Sequence, residues 1–341
     1  MNKSMKAYLV EEFDNNDTSK MQIATIDVPT IQEDEVLIQI AGTSFNPADR
    51  QVAAGEYKDF FSVPMPYVIG MDGSGVVVEI GNKVTNVQVN DRVFSYLGYA
   101  YGGGAGEFAV TKASNVAQAP KNIPLSDAAT ATGAALTAWE TLFENGKLEP
   151  GQKVIVNGAS GGVGSFVVQL AKWKGAYVIG VDAPEHLDAV KMLGADQVVN
   201  YKVEKAEEVV EGEVDLIINF SNAPNSQIQG QMSILKKGGI VVNGNAASAQ
   251  DMFQKTGGNQ AFADGVVFDE PEDTKDDFEY IVFAVHPDSS ALTRIAELID
   301  EGMIKPYITK RIDVSQLHEV HNSYLKGQNV GKVAVIVNDQ I

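Results

Sequence analysis

Cysteine is absent from the 341 residues, and histidine occurs only four times. Without sulfur there is no disulfide, no thiolate nucleophile and no zinc site built on cysteine ligands. Positive charge is scarce as well: 26 Lys and Arg stand against 45 Asp and Glu, a formal net charge of −19. Such a surface repels phosphate backbones, so a nucleic-acid partner is not expected. No stretch approaches the ~18 consecutive apolar residues that a membrane-spanning helix needs. The opening MNKSMKAYLVEEFDNND has no charged-then-apolar export pattern. The expectation is a soluble, cytoplasmic chain with no membrane partner. What is present is ordinary globular composition, 44% hydrophobic and 21% charged, over a length that suits two domains.

The chain changes pattern twice. KAYLV, EVLIQIAG, SGVVVEIG, RVFSYLG and EFAVT are short β-branched or apolar runs, punctuated by Ile80-Gly81-Asn82 and Val89-Asn90-Asp91. They predict a mainly antiparallel, barrel-like β-domain. Ser126 to Gly146 reads as one helix, with Ser126 as N-cap and Gly146 as C-cap. From Lys153, almost wholly apolar strands (KVIVNG, YVIGVD, QVVNY, VDLIINF, GIVVNG, YIVFAV) alternate with helices, the signature of a parallel sheet covered on both faces. KPYITKRI, a helix around SQLHEVHNSYLKG and the strand KVAVIV then return to the first pattern.

The stretch NGASGGVGS, Asn157 to Ser165, fits two motifs. As G-x-S-x-G it would make Ser160 a hydrolase nucleophile, with Asp215 and one of His286, His318 or His321 as partners. As a dinucleotide turn, Gly158, Ser160, Gly161, Gly162, Val163 and Gly164 would cradle a pyrophosphate at a helix N-terminus. The second reading accounts for more residues. A strand precedes the turn, a helix follows it, and the next strand ends in Asp182, 182 − 164 = 18 residues on, near the offset where an acid takes the adenosine ribose.

With TSFNPADR (43–50), YVIGMDGSGVVVEIG (67–81), DRVF (91–94), LTAWETL (136–142), NGASGGVGSFVVQLAK (157–172) and LGADQVVNY (193–201) in view, the chain resembles the zinc-independent medium-chain dehydrogenases/reductases of the quinone oxidoreductase (zeta-crystallin-like) branch. The resemblance implies an α/β protein: a Rossmann doubly wound parallel sheet plus a GroES-like, mainly antiparallel β-barrel catalytic domain. It implies a catalytic domain at 1–124, a dinucleotide-binding domain at 125–287 and a return segment at 288–341. Zinc-dependent cousins carry Cys where Asn46 stands, His-Glu where Met71-Asp72 stand, and a further ligand near Gly133. This chain keeps no sulfur or imidazole there, so no zinc is expected and plain alcohol oxidation is disfavoured. The implied reaction is hydride transfer from NADPH or NADH to a small electrophilic acceptor, a quinone or α,β-unsaturated carbonyl.

By the same resemblance Asn46, Asp49 and Tyr57 are the candidate catalytic residues. Asn46 would donate to an acceptor oxygen or ribose, or only form an Asn-Pro turn. Asp49 would orient its neighbours or cap a helix, and Tyr57 would overhang the substrate or be a surface aromatic. Thr137 would lie near the nicotinamide amide, Tyr201 with Lys202 near a 2′-phosphate, and Asn219 and Asn245 at strand ends facing the cofactor. Phe283 and Val285 would pass the nicotinamide, and Asn329 and Lys332 would form a C-terminal cofactor turn. His318 and His321 are expected on a solvated helix face. The resemblance leans to NADPH, whereas Asp182 beside a 2′-phosphate leans to NADH. It also implies a homodimer joined at the Rossmann sheet edge near YIVFAV. A nicotinamide-binding protein without turnover is the alternative, and a Ser160 hydrolase a remote one.

Overall fold

Residues 4–58, 62–221, 225–244, 278–325 and 330–341 are described by the computed structural model. They fall into two compact units: unit 1 is Met1–Leu136, His286–Gly302 and Ile308–Ile341, and unit 2 is Thr137–Val285 with Met303–Tyr307.

In unit 1 the β-branched runs form β1 (Ser4–Val10), β2 (Gln22–Asp27), β3 (Glu35–Ser44), β4 (Tyr67–Val68), β5 (Asp72–Ile80), β6 (Arg92–Tyr96), β7 (Phe108–Lys112) and β8 (Val116–Gln118). The last stretch of chain adds β15 (Ile308–Asp313) and β16 (Lys332–Ile336), the numbers between belonging to unit 2. One sheet runs β2-β1-β4; the other runs β15-β16-β3-β5-β6-β8, with β7 also on β3. The ten-residue β3 is the organiser. It pairs antiparallel with β5, with β7 along Glu35–Gln39, and with β16 at Ala334↔Ser44. Its alternate side chains Val36, Ile38 and Ile40 bury against Val77 and Val93, the two-residue periodicity of a sheet with one face in a core.

Unit 2 carries β9 (Lys153–Asn157), β10 (Tyr177–Asp182), β11 (Gln197–Asn200), β12 (Val214–Asn219), β13 (Leu235–Asn243) and β14 (Phe278–Ile281). Every pairing among them is parallel, in the order β11-β10-β9-β12-β13-β14. Numbered from β9, that order is 3-2-1-4-5-6, the doubly wound dinucleotide-binding topology. It places the switch of winding direction between β9 and β12, so the chain leaving β9 stands where such sheets bind ligands.

The single helix expected from Ser126 to Gly146 is in fact broken. Leu125–Ala128 makes one helical turn behind Pro124 rather than Ser126, and a tight turn follows over Ala129–Ala131. A second helix runs Gly133–Trp139, and Glu140–Asn145 winds more loosely. Its Gly146 N–H reaches back five residues to the Thr141 carbonyl. The break sits at Thr132, whose φ of −91° and ψ of −94° are not helical. The cause is a buried carboxylate: the Thr132 hydroxyl and the Gly133 N–H both donate to Asp72, which satisfies the new helix end.

Candidate active site

In unit 2 the site is built on the turn after β9. Gly158 has φ of +75°, a conformation that favours glycine, and its carbonyl accepts the Gly161 N–H at 3.0 Å. A Cβ on Gly164 would lie 2.1 Å from that same carbonyl oxygen, so the helix Gly162–Lys174 can approach the turn only without a side chain there. Ser160 is buried, while Gly161, Gly162 and Val163 are half-buried at the helix start, where N–H groups point outward along the axis.

Asp182, the last residue of β10, meets this turn directly. Its carboxylate accepts the Ser160 N–H at 2.7 Å and the Ala183 N–H at 2.8 Å, and His186 Nδ1 lies 3.3 Å away. Tyr201, about half exposed, follows β11 and donates its N–H to the Asp182 carbonyl. Lys202 is held 3.3 Å from Glu185.

The carboxyl ends of β9, β12 and β13 carry a chain of buried amides. Asn157 exchanges two 2.8 Å bonds with Gln231. Asn219 donates to Asn243 at 3.1 Å and accepts from the Ser221 hydroxyl at 2.7 Å, and Asn243 donates to Tyr280. Asn219 is therefore occupied in tying strand ends together. Phe283 and Val285 leave the end of β14 half-buried, and Thr137 is half-buried on its helix. Asn245 and Asn329 lie outside the described residues. The hydrolase partners do not assemble: Asp215 sits at the amino end of β12, accepting the Lys153 N–H and pairing with Lys236. The Ser160 turn follows the opposite end of the neighbouring strand.

In unit 1 four polar residues converge below the surface. Asp72, the first residue of β5, accepts from the Ser44 and Thr132 hydroxyls, from the Gly133 N–H at 2.8 Å and from Asn46 Nδ2 at 2.7 Å. Asp49 accepts the backbone N–H of Asn46 at 2.8 Å and of Met71 at 2.9 Å, and Asn46 Nδ2 lies 3.4 Å from it. Lys332 donates to Asn46 Oδ1 at 2.7 Å and to the Phe45 carbonyl at 3.1 Å, with Asp72 Oδ2 at 3.7 Å. Both N–H bonds of the Asn46 amide are thus directed at carboxylates and its oxygen at the lysine. Asn46 also opens the helix Pro47–Ala54, with Asp49 closing the turn on its N–H.

Burial, reinforced by the Asp72 charge, pushes the Asp49 carboxyl up to about 7. Burial lowers Lys332, and the Asp72 and Asp49 charges oppose that change. Tyr57 is buried, not a surface aromatic. Its hydroxyl donates to Gln51 at 3.0 Å, its ring meets the edge of Tyr99 at 5.9 Å, and burial holds its hydroxyl well above the usual range.

The expectation of a solvated His318/His321 face is half wrong. His318 is exposed, but His321 is wholly buried, edge-on to Phe45 at 4.9 Å, with neither ring nitrogen bonded among the described residues. Leu317 and Val320 are buried on the same helix, and Phe45, just past the end of β3, packs against His321. Sequence reasoning also passed over Ser44, Thr132 and the buried Arg50–Asp14 ion pair. Single polar residues inside apolar runs give no periodic signal.

Comparison with known proteins agrees with this geometry. The family model described as Alcohol dehydrogenase GroES-like domain matches residues 32–121, and that described as Zinc-binding dehydrogenase matches 193–335. A chloroplast envelope quinone oxidoreductase homolog of Arabidopsis thaliana is 28% identical over 91% of this chain and 92% of its own. The chain belongs to the quinone oxidoreductase branch of the medium-chain dehydrogenases/reductases. A 2-methylene-furan-3-one reductase of Solanum lycopersicum is 34% identical over 70% of this chain, which spans 61% of that relative's length. In fold, the quinone oxidoreductase structure from Coxiella burnetii superposes with a TM-score of 0.83 over 98% of this chain and 100% of its own, at 23% identity.

The zinc in one family description does not fit these residues. Asn46, Asp72 and Gly133 do come together, but as an amide, a carboxylate committed to four donors, and a backbone N–H. Zinc sites favour thiolate and imidazole. Among the described residues no three His, Cys, Asp or Glu gather in a metal-binding group.

Proposed function

We propose that this chain is a nicotinamide-dependent reductase that transfers hydride, without zinc, to a small quinone or α,β-unsaturated carbonyl. The observation that carries the reading is the glycine turn at the winding switch of a 3-2-1-4-5-6 sheet, closed by Asp182. The turn from Gly158 to Gly164 would hold the pyrophosphate by backbone N–H groups, and Asp182 the adenosine ribose. A bound nicotinamide supplies the hydride. The relatives named for quinone, furanone and alkenal substrates support the acceptor class. Such acceptors spread the arriving charge over a conjugated oxygen, so hydrogen bonds can replace a Lewis acid.

At the adenosine 2′-position the geometry favours NADH over the NADPH suggested by resemblance. A 2′-phosphate beside Asp182 would meet a carboxylate, and of the nearby described side chains that could answer it, His186 and Lys202 already face Asp182 and Glu185. Strand β14 is one of the two outer strands of the parallel sheet among the described residues, β11 being the other, and we take β14 as the dimer contact. The test is calorimetric titration with NADH and NADPH, followed by turnover with a quinone and enone panel. Tighter NADH binding is expected, with Asp182→Ser moving the NADPH-to-NADH affinity ratio upward by about tenfold or more. Failure of both nucleotides to bind at millimolar concentration would sink the reading; binding without turnover on the whole panel would reduce it to a nucleotide-binding protein.

A further inference from the structure

Asp49, Asp72 and Lys332 are charged or chargeable groups sealed inside unit 1, each 2% exposed or less. Three distant segments deliver them: the helix after Asn46, the first residue of β5 and the first residue of β16, which is fixed on β3 by the pairing Ala334↔Ser44. A buried ammonium persists only where its protons and its charge are answered. Here a side-chain amide oxygen, a backbone carbonyl and a carboxylate oxygen surround Nζ, at 2.7, 3.1 and 3.7 Å. That is an all-oxygen set of the kind a hard divalent cation uses.

We propose that the Lys332 ammonium is the resident cation of this pocket, carried by the chain itself in the place where a metal ion would otherwise balance the Asp72 and Asp49 carboxylates. The inference rests on the zinc-free reading above and deepens it by naming the group responsible. A divalent ion entering the pocket would face a fixed positive charge at close range and find its oxygens already taken. Lys332 is therefore a positioning residue. It holds the Asn46 oxygen, which leaves the Asn46 nitrogen aimed at Asp72 and Asp49.

The test follows cation uptake and thermal unfolding, with no nicotinamide or acceptor present, so its outcome is independent of whether the chain turns over a quinone. Wild type, Lys332→Ala and Lys332→Met are each titrated with Mn²⁺, read by loss of the free-ion paramagnetic resonance signal, and melted with and without Mn²⁺ or n-propylammonium. Wild type should bind no stoichiometric Mn²⁺ and gain nothing from either cation. Lys332→Ala, which leaves a cavity beside two carboxylates, should melt lower and recover by about 5 °C or more with at least one of the two. Lys332→Met fills the cavity without charge and should not recover. If the alanine variant is unfolded at 25 °C, its folded yield on refolding should rise with n-propylammonium, and that of the methionine variant should not. Stoichiometric Mn²⁺ uptake by wild type, or an alanine variant that responds no more than the methionine variant, overturns the proposal.

Discussion

At the scale of single residues, the polar cluster around Asp49 sets a pH dependence. The carboxyl lies at about 7 in the folded chain against an ordinary value of 3.8, because burial and the Asp72 charge disfavour its ionised form. A folded-state value raised above the unfolded one contributes stability that is complete below about pH 4 and is lost as pH rises through about 7. Relative to Asp49→Asn, wild type should lose roughly 1 kcal/mol per pH unit across that window. Urea midpoints for both proteins at pH 5 and 8 measure it, and parallel pH curves would refute it. His321 works the other way. Burial, then the Arg50 charge, depresses its imidazole to about 3, so its contribution is present above about pH 6.5 and disappears on acidification. The two groups confine greatest stability to intermediate pH.

At the scale of elements, the glycine turn is a contact between two pieces of backbone. The Gly164 site is 2.1 Å from the Gly158 oxygen for any Cβ, whereas a Cβ on Gly161 would meet that oxygen at 3.1 Å. Gly164→Ala must therefore push the helix Gly162–Lys174 away from the Gly158–Ala159 turn, while Gly161→Ala asks for a few tenths of an ångström. Gly164→Ala should lower the melting temperature by about 5 °C and weaken nicotinamide nucleotide binding by about tenfold, with Gly161→Ala well short of both. Scanning calorimetry and nucleotide titration on the two variants test this, and equal behaviour would sink the close-contact argument. The broken helix between Leu125 and Asn145 belongs to the same scale. Its interruption is imposed by Asp72 from a distant strand, a tertiary demand that overrides local propensity.

For the whole molecule, the net charge of −19 is the dominant long-range fact. Few of the described ion pairs are shielded, Arg50–Asp14 and Lys332–Asp72 being buried on both sides, so most of the excess negative charge faces solvent and repels itself. Raising NaCl from about 0.02 M to 0.3 M shortens the screening length several-fold and should raise the melting temperature by about 2–5 °C. A melting temperature that falls over that range would mean that specific ion pairs outweigh the general repulsion.

Much of this protein was legible along the chain. Absent cysteine, apolar runs of strand length and glycines at fixed spacing are local properties, and local properties dictate strands, turns and the parallel sheet directly. The Asp182 offset carried the link between β10 and the glycine turn, because one helix of ordinary length separates them. What surrounds Asn46 could not be read in this way. Asp72, Thr132 and Lys332 lie 26, 86 and 286 residues from it. Only the pairing of β16 and β5 on either side of β3 brings these groups to one point. His321 shows the same limit: its helix pattern reads as a solvated face, and packing against Phe45 buries it instead. Periodicity reports which face of an element is apolar. Which buried charge answers which other is settled by register between strands distant in sequence, and that exists only in the folded chain.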